Sequence, residues 1–150
     1  MELLNRFYNA FARRDHQTMA GCYSPDAEFT DPVFQNLRGA QVAGMWRMLC
    51  ERGTDLRIEF RDLQGEGSRG SAHWEAWYTF SASGKKVHNV IDAAFEFENG
   101  LIRRHVDQFD FYGWARQALG IKGLLLGWTP LVQNAIRAQA RRSLERFLQR

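Results

Sequence analysis

Three features of the sequence predict an α+β fold, with a curved antiparallel sheet wrapped around N-terminal helices and a helical extension at the C-terminus. Apolar residues at helical spacing dominate the first fifty positions. The period then drops to two, and four strand-like segments follow one another through glycine turns. Helical spacing returns after about residue 113.

Leu3, Leu4, Phe7, Tyr8 and Phe11 mark one face of a first helix, from about residue 2 to 13. Asp15 is placed to cap a short second helix carrying Met19, Cys22 and Tyr23, which Ser24-Pro25-Asp26 breaks. Ala27 to Thr30 reads as a short strand. A third helix opens at Gly39, sets Val42, Met45, Trp46, Leu49 and Cys50 on one stripe, and closes at Gly53.

Leu56, Ile58 and Phe60 then alternate with Arg57, Glu59 and Arg61, the pattern of a half-buried strand. Residues 65–70 make a glycine-rich loop. Ser71 to Ser81 is a long strand holding Trp74, Trp77, Tyr78 and Phe80. Lys86 to Glu98 and Leu101 to Phe111 follow, joined at the hairpin signal Asn99-Gly100. Strands so tightly linked form an antiparallel meander. Its twist can leave a conical cavity, and aromatics such as Phe11, Tyr23, Trp46, Trp74 and Phe109 either line it or fill the core. Trp74 and Trp77 fall on opposite faces, and a homodimer would cover the aromatic turned outward.

Tyr112 to Leu119 reads as a short helix ending at Gly120, and Gly123 to Trp128 as an apolar connector. Thr129 caps a last helix with Pro130 at its first position. Val132, Ile136, Ala140, Ser143, Leu144 and Phe147 line one of its faces, with Arg137, Arg141, Arg142 and Arg146 mostly off it. That face is expected to pack on its own domain or on a dimer partner. An anionic membrane surface, favoured by Leu124, Leu125, Leu126, Trp128 and the arginines, is the alternative.

Length and composition fit one domain. A chain of 150 residues buries about 70% of its unfolded surface without a staple. No run of 18 apolar residues exists, and the start Met1-Glu2-Leu3-Leu4-Asn5-Arg6 is not a secretory signal, so a cytoplasmic location is expected. Cys22 and Cys50 read as buried thiols. The net charge of +3 is uneven: residues 121–150 carry six basic residues and one acidic, and the first 120 carry 14 and 16. There is no phosphate-cradling glycine loop after a strand, no Gly-x-Ser-x-Gly elbow and no metal-ligand spacing. Neither cofactor nor metal is expected, and no nucleic-acid partner.

Several stretches carry a family resemblance. Phe11 is followed by the Arg13-Arg14-Asp15 turn; then come Tyr23-Ser24-Pro25-Asp26-Ala27-Glu28-Phe29 and Asp31-Pro32. The sheet adds Glu98-Asn99-Gly100-Leu101-Ile102 and His105-Val106-Asp107-Gln108-Phe109-Asp110. Together these resemble the nuclear transport factor 2-like superfamily, which includes ketosteroid isomerases, polyketide cyclases of the SnoaL type, scytalone dehydratases and limonene epoxide hydrolases. The resemblance implies a single domain over 1–150, with its core at about 1–113 and a helical extension at about 114–150. Because this fold hosts many reactions, the activity has to be argued from the site.

In ketosteroid isomerases the aspartate of an Asp-Pro-Val segment shuttles the proton, and Asp31-Pro32-Val33 matches it. Their first-helix tyrosine falls on Phe7 here; Tyr8 is one helical step, about 100°, away and is expected to point elsewhere. Their second acid falls near Ile91-Asp92-Ala93. Pairing by Phe95-Glu96-Phe97 puts Ala93 inward, and a slip of one residue puts Asp92 there. In polyketide cyclases of the SnoaL type an acid near the end of the sheet does the work, which Asp107 or Asp110 would match.

The candidate catalytic residues are therefore Asp31, His88, His105 and Asp107. His105 and Asp107 share a strand face, and His88 on the neighbouring strand could join them. Phe11, Tyr23, Trp46, Trp74, Asp92 and Phe109 are the candidate ligand contacts. The expected function is cofactor-free proton transfer, isomerisation or cyclisation, on a small hydrophobic carbonyl compound. The alternative is a module that binds a small hydrophobic ligand without chemistry.

Overall fold

A computed structural model describes residues 2–150. The first stripe forms helix α1 (Glu2–Ala12), which buries Leu4, Phe7, Tyr8, Ala10 and Phe11. Tyr8 is buried beside Phe7, with its ring stacked on Phe60. Asp15 caps α2 (His16–Gly21): its carboxylate accepts the Thr18 amide at 3.1 Å and the Thr18 hydroxyl at 2.6 Å. Those two hydrogen bonds hold the Asp15 carboxyl below its ordinary value of 3.8.

Strand β1 (Tyr23–Thr30) begins earlier than the sequence suggests and runs through Pro25. Its pairing is interrupted between Tyr23 and Glu28, where proline has no N–H to give. Tyr23 thereby belongs to the sheet instead of α2. A short β2 (Leu37–Arg38), which local pattern does not reveal, pairs with β1 and leads into α3 (Ala40–Arg52).

The meander forms as expected: β3 (Arg57–Glu66), β4 (Arg69–Phe80), β5 (Lys85–Glu98) and β6 (Leu101–Gln108) are antiparallel neighbours. The anticipated loop at 65–70 is a tight turn, with Glu66 opposite Arg69. Asn99 and Gly100 both take positive φ (53° and 76°), which the right-handed strand twist favours in a two-residue hairpin. β1 runs parallel to β6, giving a curved, open sheet in the order β2-β1-β6-β5-β4-β3. Parity on β5 is unambiguous: Val87, Asn89, Ile91, Ala93 and Phe95 face inward and His88, Val90, Asp92 and Ala94 outward.

Three helices follow the sheet: α4 (Phe111–Leu119), α5 (Ile121–Leu126) and α6 (Pro130–Leu148). The expected connector at 123–128 is thus largely helical. Thr129 caps α6, its hydroxyl oxygen accepting the Val132 amide at 3.3 Å. α6 lays Leu144 and Phe147 into the main core against α3, where Gly44 leaves room for Leu148. No helix among the described residues is long and apolar enough to cross a membrane.

Candidate functional site

A cavity of about 360 Å³ lies between the inner face of the sheet, α3 and α6. Phe11, Trp46, Trp74, Phe109, Trp114 and Ile136 give it an apolar wall. Asp31, Tyr78, Asn89 and Asp107 are among the polar side chains that border it.

Asp31 sits where β1 ends. Its Oδ1 accepts the amides of Val33 at 2.7 Å and Phe34 at 2.6 Å, a local turn that pins the carboxyl. Two arginines of α6 hold the same loop. Arg137 donates to the Pro32 carbonyl at 2.8 Å and Arg141 to that of Gln35 at 3.0 Å. Burial lifts the Asp31 carboxyl from 3.8 to about 7; the two amide donors pull it down and the Asp107 charge adds to the rise. The residue as a whole is half-buried, so its carboxyl is dry but lies near the surface.

Tyr78 shares the inner face of β4 with Trp74. Its oxygen accepts the Trp114 indole N–H at 2.7 Å, which leaves its own O–H free to donate. Burial pushes the Tyr78 phenol up to about 12; the Trp114 bond opposes this and the Asp31 charge reinforces it, so the phenol keeps its proton at neutral pH. The Asn89 amide has no hydrogen-bond partner among the described residues.

Asp107 is held from behind by a buried chain of hydrogen bonds. The Trp46 indole donates to the Tyr23 oxygen at 2.9 Å, and that hydroxyl lies 2.8 Å from His105 Nδ1. His105 Nε2 lies 2.8 Å from Asp107 Oδ1, which also accepts the Trp74 indole at 3.3 Å. A carboxylate only accepts, so Asp107 accepts a hydrogen bond from Nε2, and in that neutral tautomer Nδ1 accepts from the Tyr23 hydroxyl. The imidazole proton is then on Nε2, pointing at the carboxylate. Burial raises the Tyr23 phenol well above 10, as does the Asp107 charge, and the Trp46 bond opposes both. Tyr8 stacks on Phe60 with ring centroids 5.5 Å apart, and its hydroxyl is buried without a partner. Burial and then the Asp107 charge raise its phenol too.

Of the expected site residues, Asp31, Asp107, Phe11, Trp46, Trp74 and Phe109 border the cavity, and Tyr23 and His105 stand behind its wall. His88 and Asp92 are corrections. Both occupy outward positions of β5, where period-two alternation turns them away from the cavity. His88 stacks on Trp77 at 4.5 Å and meets Glu75 at 2.8 Å; Asp92 meets His73 at 2.9 Å. Of the two acids at the sheet end, Asp107 is buried and Asp110 exposed. Sequence reasoning missed Tyr78, Asn89 and the α6 wall. Parity with Trp74 would have found Tyr78, and parity with Ile91 would have found Asn89. Among the described residues no three His, Cys, Asp or Glu side chains gather as a metal site.

Residues 4–105 match the SnoaL-like domain family. No curated protein matches the chain. Several solved structures share the fold. A nuclear transport factor 2-like protein of unknown function from Burkholderia pseudomallei superposes with a TM-score of 0.69 at 21% identity, over 79% of this chain and 95% of its own. An epoxide hydrolase of the limonene epoxide hydrolase-like kind from M. tuberculosis gives 0.64 at 22%, over 87% and 92%. A putative polyketide cyclase from Xanthomonas campestris gives 0.65 at 22%, over 78% and 94%.

Proposed function

The chain belongs to the SnoaL-like domain family, within the nuclear transport factor 2-like superfamily, and from that premise we propose that it catalyses cofactor-free proton transfer on a small apolar carbonyl compound. One observation carries the reading: two carboxyls and an unspent tyrosine O–H border the same largely apolar cavity. Asp31, with its carboxyl near 7, is the base that takes a proton from the carbon beside the carbonyl. The C–H electron pair moves into a new carbon–carbon double bond, and the carbonyl electrons move onto oxygen. Tyr78 donates to that oxygen as charge develops, and Asn89 can add a second donor. Asp31 then returns the proton at another carbon, giving isomerisation. Alternatively the enolate carbon attacks a second carbonyl of the same molecule, giving ring closure.

Asp107, which follows the Thr30–Val106 pair on the neighbouring strand, is a second acid–base group beside Asp31, oriented by His105 and Trp74. The test is exchange at carbon. Enolisable cyclic ketones in heavy water should gain deuterium beside the carbonyl in the presence of the protein, as read by proton NMR. Ketones that bind without any protein-dependent exchange would favour the binding-module reading instead. Tyr78→Phe should lower the exchange rate about 10²-fold while ketone affinity changes little. An unchanged rate would remove Tyr78 from the oxyanion site.

The reading extends to assembly. Trp77 and Val90 on the outer sheet face are suited to cover each other's counterparts in a homodimer. Sedimentation at micromolar concentration should show the dimer, and Val90→Lys should shift it to monomer; a wild-type monomer would refute it.

A further inference from the structure

Helix α5 is turned the wrong way round for a helix that packs only for stability. Its buried residue is Gly123, where a Cβ would run into the Ala115 carbonyl of α4, and the buried Gly127 that follows meets the Ala115 methyl in the same way. The large side chains point out. Ile121, Leu124, Leu125 and Leu126 are 76, 52, 62 and 46% exposed, and Trp128 and Leu131 are 64 and 83% exposed. Six large apolar groups within residues 121–131 form a patch rather than scattered surface residues. The apolar face of α6, by contrast, is turned inward, with Leu144 and Phe147 in the core and Ile136 and Ala140 on the cavity wall.

The stretch of chain that carries this patch has charges of one sign. Residues 111–144 contain no aspartate or glutamate, but they contain Arg116, Lys122, Arg137, Arg141 and Arg142. Lys85 lies against Gly120, at the start of α5. A second copy docked symmetrically on α5 would bring Lys122 and Lys85 toward their own counterparts, which opposes association. An anionic lipid surface offers the complementary charge and an apolar layer beneath it, and tryptophan is at home at that boundary. Leu119 and Ile136, on either side of the segment, both border the cavity.

We propose that residues 121–131 dock the protein on an anionic bilayer surface, with the flank of the cavity held against the lipid so that an apolar ligand can pass between the two. The docking is read without turnover, so it stands apart from the proton-transfer reading. The full chain is mixed with phosphatidylcholine vesicles, with and without phosphatidylserine, and sedimented. It should pellet with the mixed vesicles at low salt, be released as salt rises, and bind the neutral vesicles far less. Lys122→Glu should weaken partitioning about tenfold or more. Leu124→Glu with Leu125→Glu should abolish it while leaving the unfolding midpoint unchanged, since both side chains are exposed. Absence of binding at low salt, or equal binding to both vesicle types, would overturn the proposal. So would a wild-type oligomer that ignores vesicles and that the double variant converts to monomer, because a second copy would then be the occupant.

Discussion

Replacing Asp31 with asparagine should cut turnover by about 10³-fold or more while making the folded chain more stable in alkali. The two effects share one cause. The wild-type carboxyl lies near 7 because burial opposes its charge. As the proposed base it must be ionised, so kcat/KM should rise as pH climbs through about 7. Stability runs the other way. A carboxyl whose folded value is raised from 3.8 contributes stability that is fully present below 3.8 and is lost as pH rises through about 7.

Asparagine keeps an oxygen for the Val33 and Phe34 amides and never ionises. A shift of this size corresponds to roughly 4 kcal/mol. Asp31 is only half-buried, so solvent screening reduces this to about 2 kcal/mol. Chemical denaturation should therefore find Asp31→Asn and wild type alike at pH 4, and the variant about 2 kcal/mol more stable at pH 8. Equal turnover in the two proteins would remove Asp31 from the mechanism. Equal stability at both pH values would show that the carboxyl is not desolvated.

His105→Phe should cost about 3–5 kcal/mol at neutral pH. The imidazole is fully buried and packs against Phe95 at 4.2 Å and Phe29 at 4.9 Å, so phenylalanine preserves much of the shape. What it removes is the donor to Asp107 and the acceptor for Tyr23. A buried carboxylate is left with the Trp74 indole, and a buried hydroxyl loses its acceptor. Adding Asp107→Asn should recover part of the stability by removing the stranded charge. Losses that simply add would mean that His105 and Asp107 do not act as a unit.

Much of this arrangement was legible locally. The stripe of α1, the Asp15 cap, the Asn99-Gly100 hairpin and the Thr129-Pro130 start of α6 each lie within a few residues of what they control. So does the shared face of His105 and Asp107, and the turn chemistry that holds Asp31. Other parts were not legible. Tyr23 joins the sheet because β1 finds β6, about eighty residues away, as a parallel partner. His88 and Asp92 face outward because Ile91 and Ala93 are claimed by the core, and one residue of slip would have reversed that. α5 looked like an apolar connector; in the structure its glycines are the surface by which the helix packs on Ala115.

By itself, then, the sequence determined the elements other than β2 and α5, their order, and the short-range chemistry of Asp31 and of the His105–Asp107 pair. Those depend on backbone hydrogen bonds and on periods of two and 3.6, which span only a few residues. Tertiary structure alone decided which faces look inward, that Tyr78 and Asn89 share the cavity with Asp31, and that α6 walls it by reaching Pro32 from Arg137, 105 positions away. Burial is a property of what lies opposite, and for most of these residues the opposite surface comes from a distant part of the chain.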